Sequence, residues 1–194
     1  AFEDYKYVLN NTKVGQEYHR EALYGRAYTV FNKEIATQVQ DPDLRKRMNA
    51  GRYDTARELF EKYVRTVENK KKDKYYGDAV VRLADCYYIN HDYKNALKNY
   101  QFAIQEKSRS SAYAQFQLGK VYAYLENYDA STECFDVVIS KYSQSVYVEE
   151  SMYRKAKNYY STGEYSRSVP YYNTYLKMYS ATLRRPAVLL ERAV

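Results

Sequence analysis

Gly51-Arg52-Tyr53-Asp54-Thr55-Ala56 is echoed three more times along the chain. The echoes are His91-Asp92-Tyr93-Lys94-Asn95-Ala96, Glu126-Asn127-Tyr128-Asp129-Ala130-Ser131 and Gly163-Glu164-Tyr165-Ser166-Arg167-Ser168. Each copy sets a turn-forming residue before a Tyr and a small residue three places after it. The four Tyr stand at 53, 93, 128 and 165, so the steps are 40, 35 and 37 residues. A period of that size marks stacked units, each too small to bury its apolar face alone. The chain therefore reads as a repeat array with no single central core.

Composition says which element is repeated. Only three Pro and six Gly occur in 194 residues, which leaves little room for hairpin turns and favours helix throughout. Residues 112–127 place Phe116, Leu118, Val121, Tyr122 and Leu125 at helical spacing, with Gly119 where a second helix can approach closely. After Asn127 a second stripe runs through Tyr128, Phe135, Val138, Ile139 and Tyr142. Two amphipathic helices joined by a short turn form an antiparallel hairpin. Upstream, Val80, Leu83, Ala84 and Tyr87 lead to a turn at 91–93, followed by Ala96, Tyr100, Ala103 and Ile104. Downstream, Met152, Ala156, Tyr159 and Tyr160 lead to a turn at 163–165, followed by Ser168, Tyr172, Tyr175 and Leu176. Pro170 falls early in that last helix and should disturb its regularity.

These positions resemble the tetratricopeptide repeat (TPR), which has small residues at its eighth, twentieth and twenty-seventh places and aromatics between them. Ala84, Tyr87, Tyr93, Ala96, Tyr100 and Ala103 match that pattern, as do Gly119, Tyr122, Tyr128, Ser131 and Phe135. Val138 is bulkier than the usual Ala. The resemblance implies an all-α fold, a right-handed superhelical solenoid of antiparallel helix-turn-helix repeats. In that phase residues 77–111, 112–148 and 149–185 are repeats. Residues 1–18 read as the second helix of a preceding repeat, since Phe2-Glu3-Asp4-Tyr5 mirrors Phe135-Asp136-Val137-Val138. Residues 186–194 read as the start of a further one, with Ala193 placed 37 residues after Ala156. The sequence is thus expected to start and stop inside repeats of a longer array.

Residues 19–76 are irregular. Residues 21–27 resemble a first helix with Ala27 at the small-residue position, yet Tyr53 lies 26 residues further on, where about nine would be regular. Asp41-Pro42-Asp43 signals a helix entry inside that stretch. Residues 28–50 are either an insertion or adjoin a missing segment.

Chemistry is poorly represented. His19, His91, Cys86 and Cys134 show no metal-ligand spacing, and both Cys read as small helix residues. A disulfide between them would join adjacent repeats. There is no HExxH, no phosphate loop and no nucleophile elbow. No catalytic residue, no metal and no cofactor is expected. The chain holds 27 Tyr, no Trp and a formal charge of +7, a combination that could serve nucleic-acid stacking. The repeat phase instead gives most Tyr to packing. Tyr53, Tyr93, Tyr128 and Tyr165 are expected to close turns, and Tyr87, Tyr122, Tyr159, Tyr63, Tyr100, Tyr172 and Tyr175 to pack hairpins. The basic runs at 69–74 and 184–185 read as solvated connections.

The resemblance supplies a candidate site. TPR arrays bind partners on a concave face lined by first-helix positions two, five, nine and twelve or thirteen. Carried over, these are Asp78, Val81, Asp85 and Tyr88; Tyr113, Phe116, Lys120 and Tyr124; and Glu150, Tyr153, Lys157 and Tyr160. Aromatic and charged residues so mixed suit a peptide or helix laid in a groove; the alternative is a merely solvated inner face. Position nine reads Asp85, Lys120, Lys157, which does not match the members that clamp a terminal carboxylate.

Residues 140–180 are also similar to repeats of bacterial envelope proteins, namely barrel-assembly lipoproteins, Tol-Pal coordinators, and secretion or gliding lipoproteins. Ser143 and Ser180 stand where those linkers carry Pro. The function implied is a non-catalytic scaffold in an envelope assembly or secretion complex, periplasmic or associated with the outer membrane. Its membrane contact would come only through a lipid anchor outside this sequence, because no stretch approaches the ~18 apolar residues of a membrane span. Left open are a cytoplasmic location, an RNA- or DNA-associated repeat using the basic residues, and a regulatory domain of a larger enzyme.

Overall fold

A computed structural model describes residues 2–14, 16–33 and 42–193. Among them are ten α-helices and no strand. The helices fall in two units, Ala1–Ser110 and Ser111–Val194. The first holds α1 (Phe2–Asn11), α2 (Glu17–Phe31), α3 (Pro42–Thr66), α4 (Tyr76–Ile89) and α5 (Tyr93–Gln105). The second holds α6 (Ser111–Tyr124), α7 (Tyr128–Lys141), α8 (Val148–Ser161), α9 (Tyr165–Met178) and α10 (Arg185–Arg192). The hairpins are α2 with α3 and α4 with α5 in the first unit, and α6 with α7 and α8 with α9 in the second.

Three of the hairpins, α4–α5, α6–α7 and α8–α9, are closed by the same local chemistry. His91, Glu126 and Gly163 take the left-handed backbone conformation, with φ of 61°, 59° and 76°. In the residue after each, the backbone N–H donates back to the carbonyl of Tyr87, Tyr122 or Tyr159 at 2.8–2.9 Å, which ends the first helix. The same residues open the next helix. The side chains of Asp92 and Asn127 accept from the backbone N–H groups of Asn95 and Ala130 at 3.1 and 3.2 Å. Tyr93, Tyr128 and Tyr165 are then the first helical residues. A left-handed non-glycine costs about 1 kcal/mol, part of which Gly returns through its freer unfolded chain. Glu126→Gly should therefore raise stability and Gly163→Ala should lower it, each by about 0.5 kcal/mol. The shift of the urea midpoint at constant slope reads both effects.

The fourth echo behaves differently. Tyr53 closes no turn: α3 runs unbroken through Gly51-Arg52-Tyr53 and is 25 residues long, against 13 or 14 for the second helices α5, α7 and α9. Pro42 is its first residue, the place where a missing N–H and a fixed φ suit a helix start. With the helix already begun there, Gly51 stays helical and Tyr53 lies within it, its ring 5.4 Å from that of Phe31. Residues 34–41 lie outside the described residues, so the expectation of an insertion or gap at 28–50 falls partly there. Pro170 is tolerated inside α9, which continues to Met178.

Packing follows the repeat phase closely. The first-helix small residues Ala27, Ala84 and Ala156 have no exposed surface. Facing them, Ala56, Ala96, Ser131 and Ser168 are buried, and four residues further on so are Phe60, Tyr100, Phe135 and Tyr172, each at 0% exposure. Smallness is required sterically. A Cβ on Gly119 would lie 2.7 Å from the Phe135 ring, and Ser131 and Ser168 donate to the carbonyls of Gly119 and Ala156 at 2.8 and 3.0 Å. The tyrosines bury the ring and place the hydroxyl on a carboxylate. Tyr24 donates to Asp78 (2.8 Å), Tyr87 to Glu61 (2.8 Å), Tyr100 to Asp85 (2.6 Å) and Tyr175 to Glu149 (3.0 Å), and Tyr63 and Tyr172 donate to Asp73 and Glu191. Burial, reinforced by the acidic partner, pushes the phenols of Tyr24, Tyr63, Tyr87, Tyr172 and Tyr175 up, that of Tyr87 to about 12.

Candidate protein-interaction face

In the first unit the four expected groove residues all lie on α4. Val81 is fully buried and Asp85 is 4% exposed, holding Arg82 at 3.0 Å and the Tyr100 hydroxyl. Asp78 accepts from Tyr24 and lies 3.6 Å from Arg82. Tyr88 is half-buried, edge-on to Tyr93 at 6.0 Å. The helix thus spends two of the four on its own packing.

In the second unit α6 and α8 carry the other eight. Phe116 is buried under Tyr147, whose ring stacks on it at 5.3 Å and 14°. Tyr153 is buried beneath the Arg184 guanidinium, 4.8 Å above its ring. Lys120 and Arg154 lie 5.7 and 6.0 Å from the Phe116 ring, and Lys157 lies 5.8 Å from that of Tyr153. Glu150 binds Arg154 at 2.7 Å and also pairs with Arg184. Lys157 pairs with Glu191 at 3.5 Å. Burial lowers the Lys157 pKa, but Tyr153 and Glu191 outweigh it and hold the ammonium above its ordinary range. Tyr113 packs against Tyr147 at 5.4 Å, Tyr160 against Tyr165 at 5.3 Å, and Tyr124 is 58% exposed. The result is a floor of two buried rings with four cations above it and three tyrosines beside it. Mixed aromatic and charged surfaces of this kind suit peptide contact.

The expected groove residues began at Asp78 and left out the equivalent positions of α2. With Ala27 at the small-residue place, these are Glu21, Tyr24, Tyr28 and Phe31. Tyr24 stacks on Tyr75 at 4.4 Å and 16°, and Tyr28 is 42% exposed. A groove of about 580 Å³ opens there, its wall including Tyr5, Tyr18, Glu21, Tyr24, Tyr28 and Tyr75. The signal was present in Ala27 itself.

Cys86 and Cys134 are free and buried, and burial pushes both thiols up, that of Cys134 to about 12, so neither is a nucleophile at neutral pH. Among the described residues no group of His, Cys, Asp and Glu could hold a metal ion, and no helix is long and apolar enough to cross a membrane.

Residues 113–145 and 149–182 each match the tetratricopeptide repeat family. Those two segments carry tetratricopeptide repeats, and the chain has an all-α helical-repeat fold. It is similar to the solved structure of MamA, at 19% identity with a TM-score of 0.69, over 93% of this chain and 81% of that one. It is similar also to the nearly identical TPR-like repeats of a Podosopora anserina kinesin light chain, at 15% identity with a TM-score of 0.64, over 90% and 84% of the two chains. YrrB, a TPR protein with an unusual peptide-binding site, matches at 15% identity with a TM-score of 0.61 over the whole of both chains. Identities this low speak for the fold. No curated protein matches the sequence.

Proposed function

We propose that this chain is a non-catalytic scaffold that holds a partner peptide or helix against the first-helix face of α6 and α8. The observation that carries the reading is the set of four cations, Lys120, Arg154, Lys157 and Arg184, spread over the Phe116 and Tyr153 rings. The peptide-binding site of YrrB, on the same fold, supports it. The likeness of residues 140–180 to envelope repeats favours a place in a bacterial envelope assembly or secretion complex, periplasmic or at the outer membrane.

Peptides selected from a displayed random library on the immobilised chain provide a direct test, with affinity read by fluorescence anisotropy. Tyr124→Ala combined with Lys120→Ala should weaken binding at least about tenfold while helical circular dichroism stays unchanged. Phe116 and Tyr153 are unsuitable targets, because their removal would disturb the core. Unchanged affinity in the double variant would remove this face from consideration. Submicromolar, salt-sensitive binding of labelled single-stranded RNA would favour a nucleic-acid role instead.

A further inference from the structure

The connections between repeats carry side chains that neither the packing nor the peptide face uses. Ten residues before the small-residue positions Ala27, Ala84, Gly119, Ala156 and, by the same phase, Ala193 stand Glu17, Lys74, Arg109, Val146 and Leu183. All five are exposed, so this place in the repeat faces solvent. Val146 is followed by the whole α8–α9 hairpin and by α10, and is still 85% exposed; Leu183 is 99% exposed. In the first unit the place is held by charge, as an exposed connection favours. In the second unit it is held by two bare aliphatic side chains that no packing demands.

These two residues stand together. Antiparallel hairpins bring the connections 142–147 and 179–184 to one end of the second unit. There Val146, Thr182, Leu183 and Arg184 line one depression of about 540 Å³ with Glu149 and Glu150. The same end holds the exposed Lys141, Lys177, Arg184 and Arg185 and the half-buried Tyr142 and Tyr179. Its two carboxylates are already engaged. Glu149 accepts from Tyr175 at 3.0 Å, and Glu150 binds Arg154 at 2.7 Å and pairs with Arg184. The opposite end, at the turns 125–128 and 162–165, has the reverse sign, with Glu126, Asp129 and Glu164 against Arg167. The unit is therefore polarised along its helices, basic and aliphatic at one end and acidic at the other.

We propose that this end of the second unit rests on an anionic lipid surface, with Val146 and Leu183 entering the interface and Lys141, Lys177 and Arg185 meeting the headgroups. Aliphatic tips gain by leaving water for the acyl boundary, and Lys and Arg gain from the negative surface potential. Tyr142 and Tyr179 have the amphipathic rings that settle at headgroup level. The field that draws in the basic end repels the acidic one, which fixes the orientation of the unit. Two tips and a few cations give a reversible, peripheral contact made by this chain itself.

Co-sedimentation of the chain with sucrose-loaded vesicles tests this, comparing phosphatidylglycerol mixed with phosphatidylcholine against phosphatidylcholine alone. The chain should partition onto the mixed vesicles and not onto the neutral ones, and added salt should release it. Val146→Ser with Leu183→Ser, and separately Lys177→Glu with Arg185→Glu, should each lower the partition at least about tenfold. All four residues are exposed, so circular dichroism should not change. The chain holds no Trp, so Val146→Trp supplies a single reporter. Its emission should shift to the blue on the mixed vesicles and be quenched by brominated acyl chains. No partition onto the mixed vesicles, equal partition onto both kinds, or an unshifted emission would each overturn the proposal. So would a partition that falls with the charge pair but ignores the aliphatic pair, which is the behaviour of a purely electrostatic surface such as one for nucleic acid.

Discussion

Phe135→Ala should lower the unfolding free energy by about 4 kcal/mol, one of the two largest losses expected of any single substitution in this chain. Its ring has no exposed surface, packs 6.0 Å from that of Phe116 and forms a cluster with Phe116 and Val138. Removing it costs the transfer free energy of the ring plus a cavity term, and the cavity term should be near its maximum. The residue across the interface is Gly119, which has no side chain to fall into the gap. That geometry also predicts a change of sign. Gly119→Ala alone must push its Cβ against the Phe135 ring, which it would meet at 2.7 Å, and should cost about 1–3 kcal/mol. In the Phe135→Ala background the same methyl enters vacated space and the helix loses a glycine, so it should stabilise instead. Urea unfolding followed by circular dichroism reads all four corners of the cycle. A loss below about 1.5 kcal/mol for Phe135→Ala would mean that this seam closes up more easily than the packing implies.

The same seam explains what could be read without coordinates. Small residues at 27, 84, 119 and 156 and aromatics at 60, 100, 135 and 172 are forced by how closely two helices approach, so they survive as a pattern in the sequence. Residues 91, 126 and 163 were legible as turns because a left-handed residue followed by Asp, Asn or Glu both ends one helix and begins the next. Tyr53 misled for the same reason. Gly51 looks like Gly163, but whether a glycine turns or stays helical depends on where the helix starts, and Pro42 had already started it. The face was only partly legible. Position within the repeat assigns a residue to a helix side, yet exposure depends on what the next helix lays over it. Tyr147 covers Phe116 and Arg184 covers Tyr153. Neither a stacked tyrosine nor a guanidinium over a ring leaves a mark in the period.

Asp85 is where the two readings of a groove residue part most sharply, and Asp85→Ala should cost about 3–4 kcal/mol. The carboxylate is 4% exposed and accepts from the Tyr100 hydroxyl at 2.6 Å and from Arg82 at 3.0 Å. Tyr100 itself has no exposed surface, so its hydroxyl cannot turn to bulk water for a replacement acceptor. Deleting the carboxylate removes the acceptor of the Tyr100 hydroxyl bond and the ion pair at 3.0 Å with Arg82. Tyr100→Phe removes only one hydrogen bond to a charged group and should cost about 1.5–3 kcal/mol. Combined with Asp85→Ala it should add less than its own value, with a coupling of about 1 kcal/mol or more. Additive losses would mean that the Tyr100–Asp85 bond contributes nothing of its own. The comparison that bears on function is affinity. If Asp85 is a packing group, folded Asp85→Ala at low temperature should bind selected peptides as the parent does, and its defect should appear only in the unfolding curve. A residue that touches the partner would show the reverse, with weakened binding and an unchanged midpoint. Because the carboxylate faces Tyr100 and Arg82, the first outcome is expected, and it moves the interaction face away from Asp85 toward the exposed Tyr124 and Lys157 and the half-buried Lys120.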